Sequence, residues 1–148
     1  MGEPAGRRPG TILLVEDNPD DEALTLRAFR QHNLSNKIQV ARDGAEALAY
    51  LFAERAAVPQ LVLLDLKLPK VDGLEVLRRI REDPRTTLVP VVILTSSKEE
   101  SDLVRGYQLR ANSYIHKPVD FSRFVDAAQE IGLYWLVLNE RPPQGSQT

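Results

Sequence analysis

Four apolar-rich runs in this chain stop on side chains that can do chemistry. Leu13-Leu14-Val15 runs into Glu16-Asp17, Leu61-Val62-Leu63-Leu64 into Asp65, Val91-Val92-Ile93-Leu94 into Thr95, and Tyr114-Ile115-His116 into Lys117. In an open parallel sheet, ligands bind beyond the carboxyl ends of the strands, so these three carboxylates, one hydroxyl and one ammonium are placed to meet. Clustered carboxylates repel, and one of them takes up a proton unless something compensates. A hard divalent cation does so, and Mg²⁺ is typically held by one or two carboxylates together with a phosphate. With such an ion present Asp65 can attack a phosphoryl group and form an acyl phosphate. The Thr95 hydroxyl and the Lys117 ammonium would hold the remaining phosphoryl oxygens.

Each residue also has a plainer explanation. Glu16 and Asp17 suit a nearby helix N-terminus, Asp65 an Asx turn, Thr95 a β-branched strand position, and Lys117 a solvated strand end. Each of these explanations covers only its own position, so the joint occurrence favours a site. Cysteine is absent and no His/Cys cluster suggests zinc. His32 fits a helix C-terminus and His116 a strand surface, with no phosphorelay role for either.

The elements that must position these groups follow from the pattern around them. Thr11 to Val15 is a strand covered on both faces. Asn18-Pro19-Asp20-Asp21-Glu22 starts a helix, with Asn as cap, Pro at the first position and acids at the positive dipole end; it ends near His32-Asn33. Lys37 to Ala41 is a weaker second strand. Asp43-Gly44-Ala45-Glu46 then has capping-box spacing ahead of a face of Ala47, Leu48, Leu51 and Phe52.

A third unit joins Leu61–Asp65, a loop through Pro69 and an Asp72-x-x-Glu75 helix start carrying Leu74, Leu77 and Ile80, stopped by Asp83-Pro84. A fourth joins Val91–Thr95 to a helix opened by Ser97-x-x-Glu100, with Leu103, Val104 and Tyr107 on its apolar face. Gly106 weakens that helix by about 1 kcal/mol relative to Ala. Ser113–His116, Lys117-Pro118 and a helix from about Asp120 to Leu138 complete the chain. Five strands alternating with five helices predict right-handed crossovers and a parallel α/β sheet with helices on both faces, although alternation alone does not fix strand order.

The 148 residues suit one domain: a disordered leader over 1–10, the domain over 11–138 and a flexible tail over 139–148. Apolar residues at 43% and charged residues at 27% are near globular averages, and a net charge of −2 gives no nucleic-acid footprint. No run is long enough for a signal-peptide core or a membrane span, and the lack of cysteine suits a reducing compartment, so a cytoplasmic location is expected. Ile131-Gly132-Leu133-Tyr134-Trp135-Leu136-Val137-Leu138 is apolar nearly all round its helix, where one face would satisfy the sheet. The surplus predicts a homodimer contact through Ile131, Tyr134, Trp135 and Leu138, against the plainer possibility of scattered surface hydrophobes.

The motifs Leu14-Val15-Glu16-Asp17-Asn18, Leu63-Leu64-Asp65-Leu66-x-Leu68-Pro69-x-x-Asp72-Gly73, Ile93-Leu94-Thr95-Ser96 and Tyr114-Ile115-x-Lys117-Pro118 resemble the receiver domain of two-component response regulators over nearly all of Thr11 to Leu138. That resemblance implies a flavodoxin-like strand order of 2-1-3-4-5 and a cis Lys117–Pro118 bond. It implies Asp65 as phosphoacceptor, with Asp17, Asp65 and the main-chain carbonyl of Lys67 on Mg²⁺ and Glu16 acting through water. It further implies Lys117 on phosphate, Thr95 and Tyr114 as the switch pair, and output through the surface of helix four, strand five and helix five. Lys67 and Ser97 would tune the phosphoryl lifetime.

Val15 to Asp21, Arg27-Ala28-Phe29 and the stretch from Trp135-Leu136 to Pro142-Pro143 are similar to single-domain regulators paired with bacterial phytochrome kinases. That implies a sensor histidine kinase as phosphodonor, and a chain that catalyses only its own phosphorylation and dephosphorylation. Two other functions compete. A haloacid dehalogenase-like phosphotransferase wants a second aspartate two residues after the nucleophile, where this chain has Lys67. A receiver-like interaction module that takes no phosphate usually lacks one of the acid, acceptor or lysine positions, and all are present. No Gly-x-Gly-x-x-Gly follows strand one, which sets dinucleotide binding aside.

Overall fold

Each of the apolar runs forms a strand in the computed structural model, which describes residues 10–32, 36–54, 57–95, 105–130 and 132. The order is β1 (Thr11–Val15), α1 (Pro19–Gln31), β2 (Lys37–Ala41), α2 (Gly44–Leu51), β3 (Leu61–Asp65), α3 (Gly73–Glu82) and β4 (Val91–Thr95). A helical turn at 105–108, labelled α4, then leads to β5 (Ser113–His116) and α5 (Phe121–Glu130). The strands lie in the order β2-β1-β3-β4-β5, all parallel, as the resemblance implied. Val15 is in register with Leu64, so Glu16 and Asp65 emerge side by side.

Every residue of β3 and β4 is buried, which is why these strands read as continuous apolar runs rather than alternating ones. One face packs Leu13, Val15, Val62, Leu64 and Ile93 against Ala47 and Leu51 of α2 and Val76, Leu77 and Ile80 of α3. The other packs Ile12, Leu14, Leu63 and Ile115 against Phe29 of α1 and Phe124 and Ala127 of α5. β2 lies at an edge with Lys37 exposed, which accounts for its weaker sequence signal.

The helix starts act as their caps predict. The Asn18 side chain accepts from the N–H groups of Asp20 and Asp21 at 2.9 and 3.0 Å. Asp43 accepts from Glu46 N–H at 2.7 Å, while the Glu46 carboxylate reaches back to Arg42 N–H at 2.8 Å, one residue earlier than in the usual reciprocal pair. Asp72 caps α3 by accepting from Glu75 N–H at 3.0 Å, and α3 ends at Glu82, ahead of Pro84. At Gly73 a Cβ would stand 2.3 Å from the Asp65 carbonyl oxygen and 2.6 Å from Leu66 Cα. Glycine there lets α3 begin directly against the end of β3.

One expectation is corrected. The helix expected to run unbroken from about Asp120 to Leu138 gives α5 ending at Glu130, with Gly132 at φ 80°, in the left-handed region where glycine closes helices. Ile131, Tyr134, Trp135 and Leu138 lie outside the described residues, as do Ser97, Glu100, Leu103 and Val104 and the segments 1–9 and 139–148. Among the described residues no helix is long and apolar enough to cross a membrane.

Candidate functional site

The four strand ends deliver their side chains to one place. Lys117 follows β5, and its N–H donates to the Thr95 carbonyl at 3.0 Å, which extends the β4–β5 pairing by one residue. The Lys117–Pro118 bond is cis. The Lys117 ammonium lies 2.8 Å from Asp65 Oδ2, 3.0 Å from Glu16 Oε2 and 3.1 Å from Asp21 Oδ2. Glu16 Oε1 faces the same nitrogen at 2.9 Å without hydrogen-bond alignment. Glu16 and Asp65 are almost fully buried, at 1% and 4% exposure, so neither carboxylate has water to fall back on.

The backbone adds a donor to each buried acid, on the second oxygen of Asp65 and on the same oxygen of Glu16 that Lys117 holds. Lys67 N–H donates to Asp65 Oδ1 at 3.0 Å, and Asn18 N–H donates to Glu16 Oε2 at 3.2 Å. Asp65 is thus held by a main-chain donor on one oxygen and an ammonium on the other. The Lys67 side chain itself is exposed.

Burial, more than any other influence, pushes the Glu16 carboxyl from its ordinary 4.5 to about 7; the Lys117 hydrogen bond opposes the rise and the neighbouring Asp65 adds to it. For Lys117, burial works to lower the pKa, but hydrogen bonds to Asp65 and Glu16 outweigh it and hold the ammonium above its usual range. The acids therefore outnumber the positive charge that serves them, since Glu16, Asp21 and Asp65 share a single ammonium.

Carboxylate oxygens of Glu16, Asp17 and Asp65 all lie within 4.8 Å of one another. Asp17 is exposed at the rim, on a cleft of about 430 Å³ lined also by Leu66, Lys67 and Asp72. An all-oxygen donor set, an excess of negative charge and a buried acid driven toward its neutral form suit a hard divalent cation such as Mg²⁺. A larger cleft of about 750 Å³ runs along β5 and α5, lined by residues including Tyr114, His116, Lys117 and Arg123. None of the three clustered acids lines it, so the chemistry, not the size, locates the site.

Thr95 ends β4, is 3% exposed, and is in register with His116. Ile93 pairs with Tyr114, so by strand alternation Thr95 and Tyr114 project from the same face of the sheet. The half-buried Tyr114 ring packs edge-on against Tyr107, with centroids 4.4 Å apart. Burial first, then Tyr107, raises the Tyr114 phenol to about 12. A Cβ on Gly106 would meet the Tyr114 hydroxyl at 2.8 Å. Gly106, legible from sequence only as a weakness in a helix, makes room for the tyrosine. His32 caps α1 and stacks on Phe121, while His116 is exposed on β5.

The sequence reasoning assigned Glu16, Asp17, Asp65, Thr95 and Lys117 to one end of the sheet, and the fold places them there. It missed Asp21, whose place in an acidic first helical turn was explained well enough by the dipole. Its signal was positional: the first turn of α1 starts three residues after Glu16 and so overhangs the carboxyl end of β1.

Residues 12–129 match the family model described as the response regulator receiver domain. The chain is 51% identical to a solved structure described as the bacteriophytochrome response regulator AtBRR, covering 84% of this chain and 94% of that one with a TM-score of 0.77. It is 37% identical over 132 residues to the response regulator Rcp1 of Synechocystis sp., covering 86% of this chain and 90% of the relative. A solved Mn²⁺-bound form of a response regulator Rcp1 superposes with a TM-score of 0.73, at 36% identity over 86% of this chain and 95% of that one. A phosphorylated cyanobacterial phytochrome response regulator, RcpA, is 37% identical, covering 90% of this chain and 97% of that one with a TM-score of 0.71.

Proposed function

We propose that this chain, which belongs to the response regulator receiver domain family, is a phospho-switch that takes a phosphoryl group onto Asp65 from the phosphohistidine of a sensor histidine kinase. An Asp65 carboxylate oxygen attacks phosphorus, the P–N bond to the imidazole breaks, and the ring nitrogen leaves with the electron pair and takes a proton. The product is an acyl phosphate on Asp65. The bacteriophytochrome and phytochrome regulators among its relatives support a light-sensing kinase as the donor.

Asp17, Asp65 and the main-chain carbonyl of Lys67 would hold Mg²⁺ directly, with Glu16 acting through water. The ion supplies positive charge to the phosphoryl oxygens and relieves the repulsion among the acids. The Mn²⁺-bound relative supports a divalent cation at such a site. Lys117 holds one phosphoryl oxygen and the Thr95 hydroxyl another. Movement of Thr95 toward the phosphoryl group opens space into which Tyr114 turns, altering the surface formed by α4, β5 and α5. Ile131, Tyr134, Trp135 and Leu138 supply an apolar contact between two copies in the cytoplasm, which light scattering tests: a monomer with and without phosphorylation sinks it.

The observation that carries the reading is the Lys117 ammonium 2.8 Å from Asp65 Oδ2, beside a carboxylate cluster suited to a divalent cation. Incubation with Mg²⁺ and acetyl phosphate, read by intact mass, is expected to add one phosphoryl group to the wild type and none to Asp65→Asn. A folded, Mg²⁺-binding wild type that stays unmodified overturns it.

A further inference from the structure

Asp21 is not among the clustered metal-ligating acids, yet it touches the group that must receive the phosphate. Three carboxylates share the three N–H donors of Lys117, and they are not equivalent. The contacts to Asp65 and Glu16 are at 2.8 and 2.9–3.0 Å, with side chains 6% and 1% exposed; the contact to Asp21 is 3.1 Å, with a side chain 29% exposed. Asp21 is thus the most distant and most solvated of the three partners. It is fixed there because its own N–H is tied to the Asn18 cap at 3.0 Å, so the first turn of α1 holds the carboxylate over the ammonium.

An ammonium has three donors and no more. When a phosphoryl group arrives at Asp65, Lys117 has to release one carboxylate to bind a phosphoryl oxygen. The partner released at least loss is the one water can solvate. Asp21 also places a negative charge beside the path of an incoming dianion, which opposes its approach.

Building on the phospho-switch reading, we propose that Asp21 is a positioning residue that restrains Lys117 before phosphorylation and competes with the phosphoryl group for its ammonium. The covalent step is unchanged: with acetyl phosphate, an Asp65 oxygen bonds to phosphorus, the bond from phosphorus to the acetate oxygen breaks, and acetate leaves with the electron pair. Asp21 sets how readily Lys117 turns to the phosphoryl oxygens.

The test measures the rate of phosphoryl uptake against acetyl phosphate concentration at saturating Mg²⁺, for wild type, Asp21→Asn and Asp21→Glu. Asp21→Asn keeps an acceptor oxygen but removes the charge, and is expected to lower the half-saturating acetyl phosphate concentration by about three- to tenfold. The maximal rate should change less, and the Mg²⁺ affinity should stay within about twofold of wild type. Asp21→Glu should restore the wild-type half-saturation, which a merely structural role of the helix turn would not require. A half-saturation unchanged or raised in Asp21→Asn overturns this inference alone, because the wild type is then still seen to be phosphorylated. A wild type that takes up no phosphoryl group overturns the switch reading and this inference with it.

Discussion

Each end of the sheet draws a cation out of water, and the two are satisfied by opposite means. At the carboxyl end Lys117 sits among carboxylate oxygens of Glu16, Asp21 and Asp65. At the amino end Arg81 of α3 aims all its N–H donors at neutral acceptors. These are the carbonyls of Leu109 at 3.2 Å, Thr87 at 2.9 Å, Val89 at 2.7 Å and Arg110 at 2.7 Å, with Asn112 Oδ1 at 3.0 Å. Burial first, then the nearby Arg110, lowers Arg81 to about 10, while Lys117 is pushed the other way by its acids. Neutral dipoles fix a geometry and have no second charge state to adopt. Charged partners can be exchanged for another anion, so the contacts at the carboxyl end are exchangeable while those at the amino end fix a geometry. Arg81 thereby stitches α3 to the segment that leads into β5, where Asn112 Oδ1 also accepts the Val91 N–H at 2.8 Å.

The contrast breaks most readily at Lys117. Lys117→Ala strands buried carboxylates, and urea unfolding at about pH 8 without divalent cation should show a loss of about 3–5 kcal/mol. The loss should be smaller near pH 5, where Glu16 carries a proton; equal losses would mean that charge balance does not govern this end. Arg81→Ala should lose about 2–4 kcal/mol through acceptors left without donors. That loss should be the same at both pH values, and the half-saturating acetyl phosphate concentration should stay within about twofold of wild type. A shifted half-saturation would show the two ends to be coupled.

The smallest effect is in the unmodified protein. Glu16 is raised from 4.5 to about 7, so between these values the folded state binds a proton that the unfolded state has lost. The stability it contributes is complete below about pH 4.5 and disappears as the pH rises through about 7. Metal-free protein should therefore unfold at falling urea concentrations between about pH 5 and pH 8. Saturating Mg²⁺ should flatten that slope, because the ion favours ionised acids.

Much of this was legible in the chain because apolar runs and their stops are local signals. Asp65 and Thr95 stand where continuous buried strands end, and Asn18, Asp43 and Asp72 announce their helices by their own side chains. Strand order was not local: it needed the family resemblance, since alternation permits several arrangements. Asp21 was hidden by having a sufficient local explanation, and the end of α5 by apolar residues that continue past Gly132. The role of Arg81 depends on carbonyls from 87 to 110, which no spacing along one helix reveals.

Gly106 then has a meaning beyond the space it leaves. Alanine there would favour the helix by about 1 kcal/mol and at the same time deny the Tyr114 hydroxyl its resting place. One added methyl group would thus press on the Tyr114 ring from within the chain, so that either the ring or the turn at 105–108 would have to give way. Position 106 is a handle by which the placement of Tyr114 could be set by design, through a single methyl group.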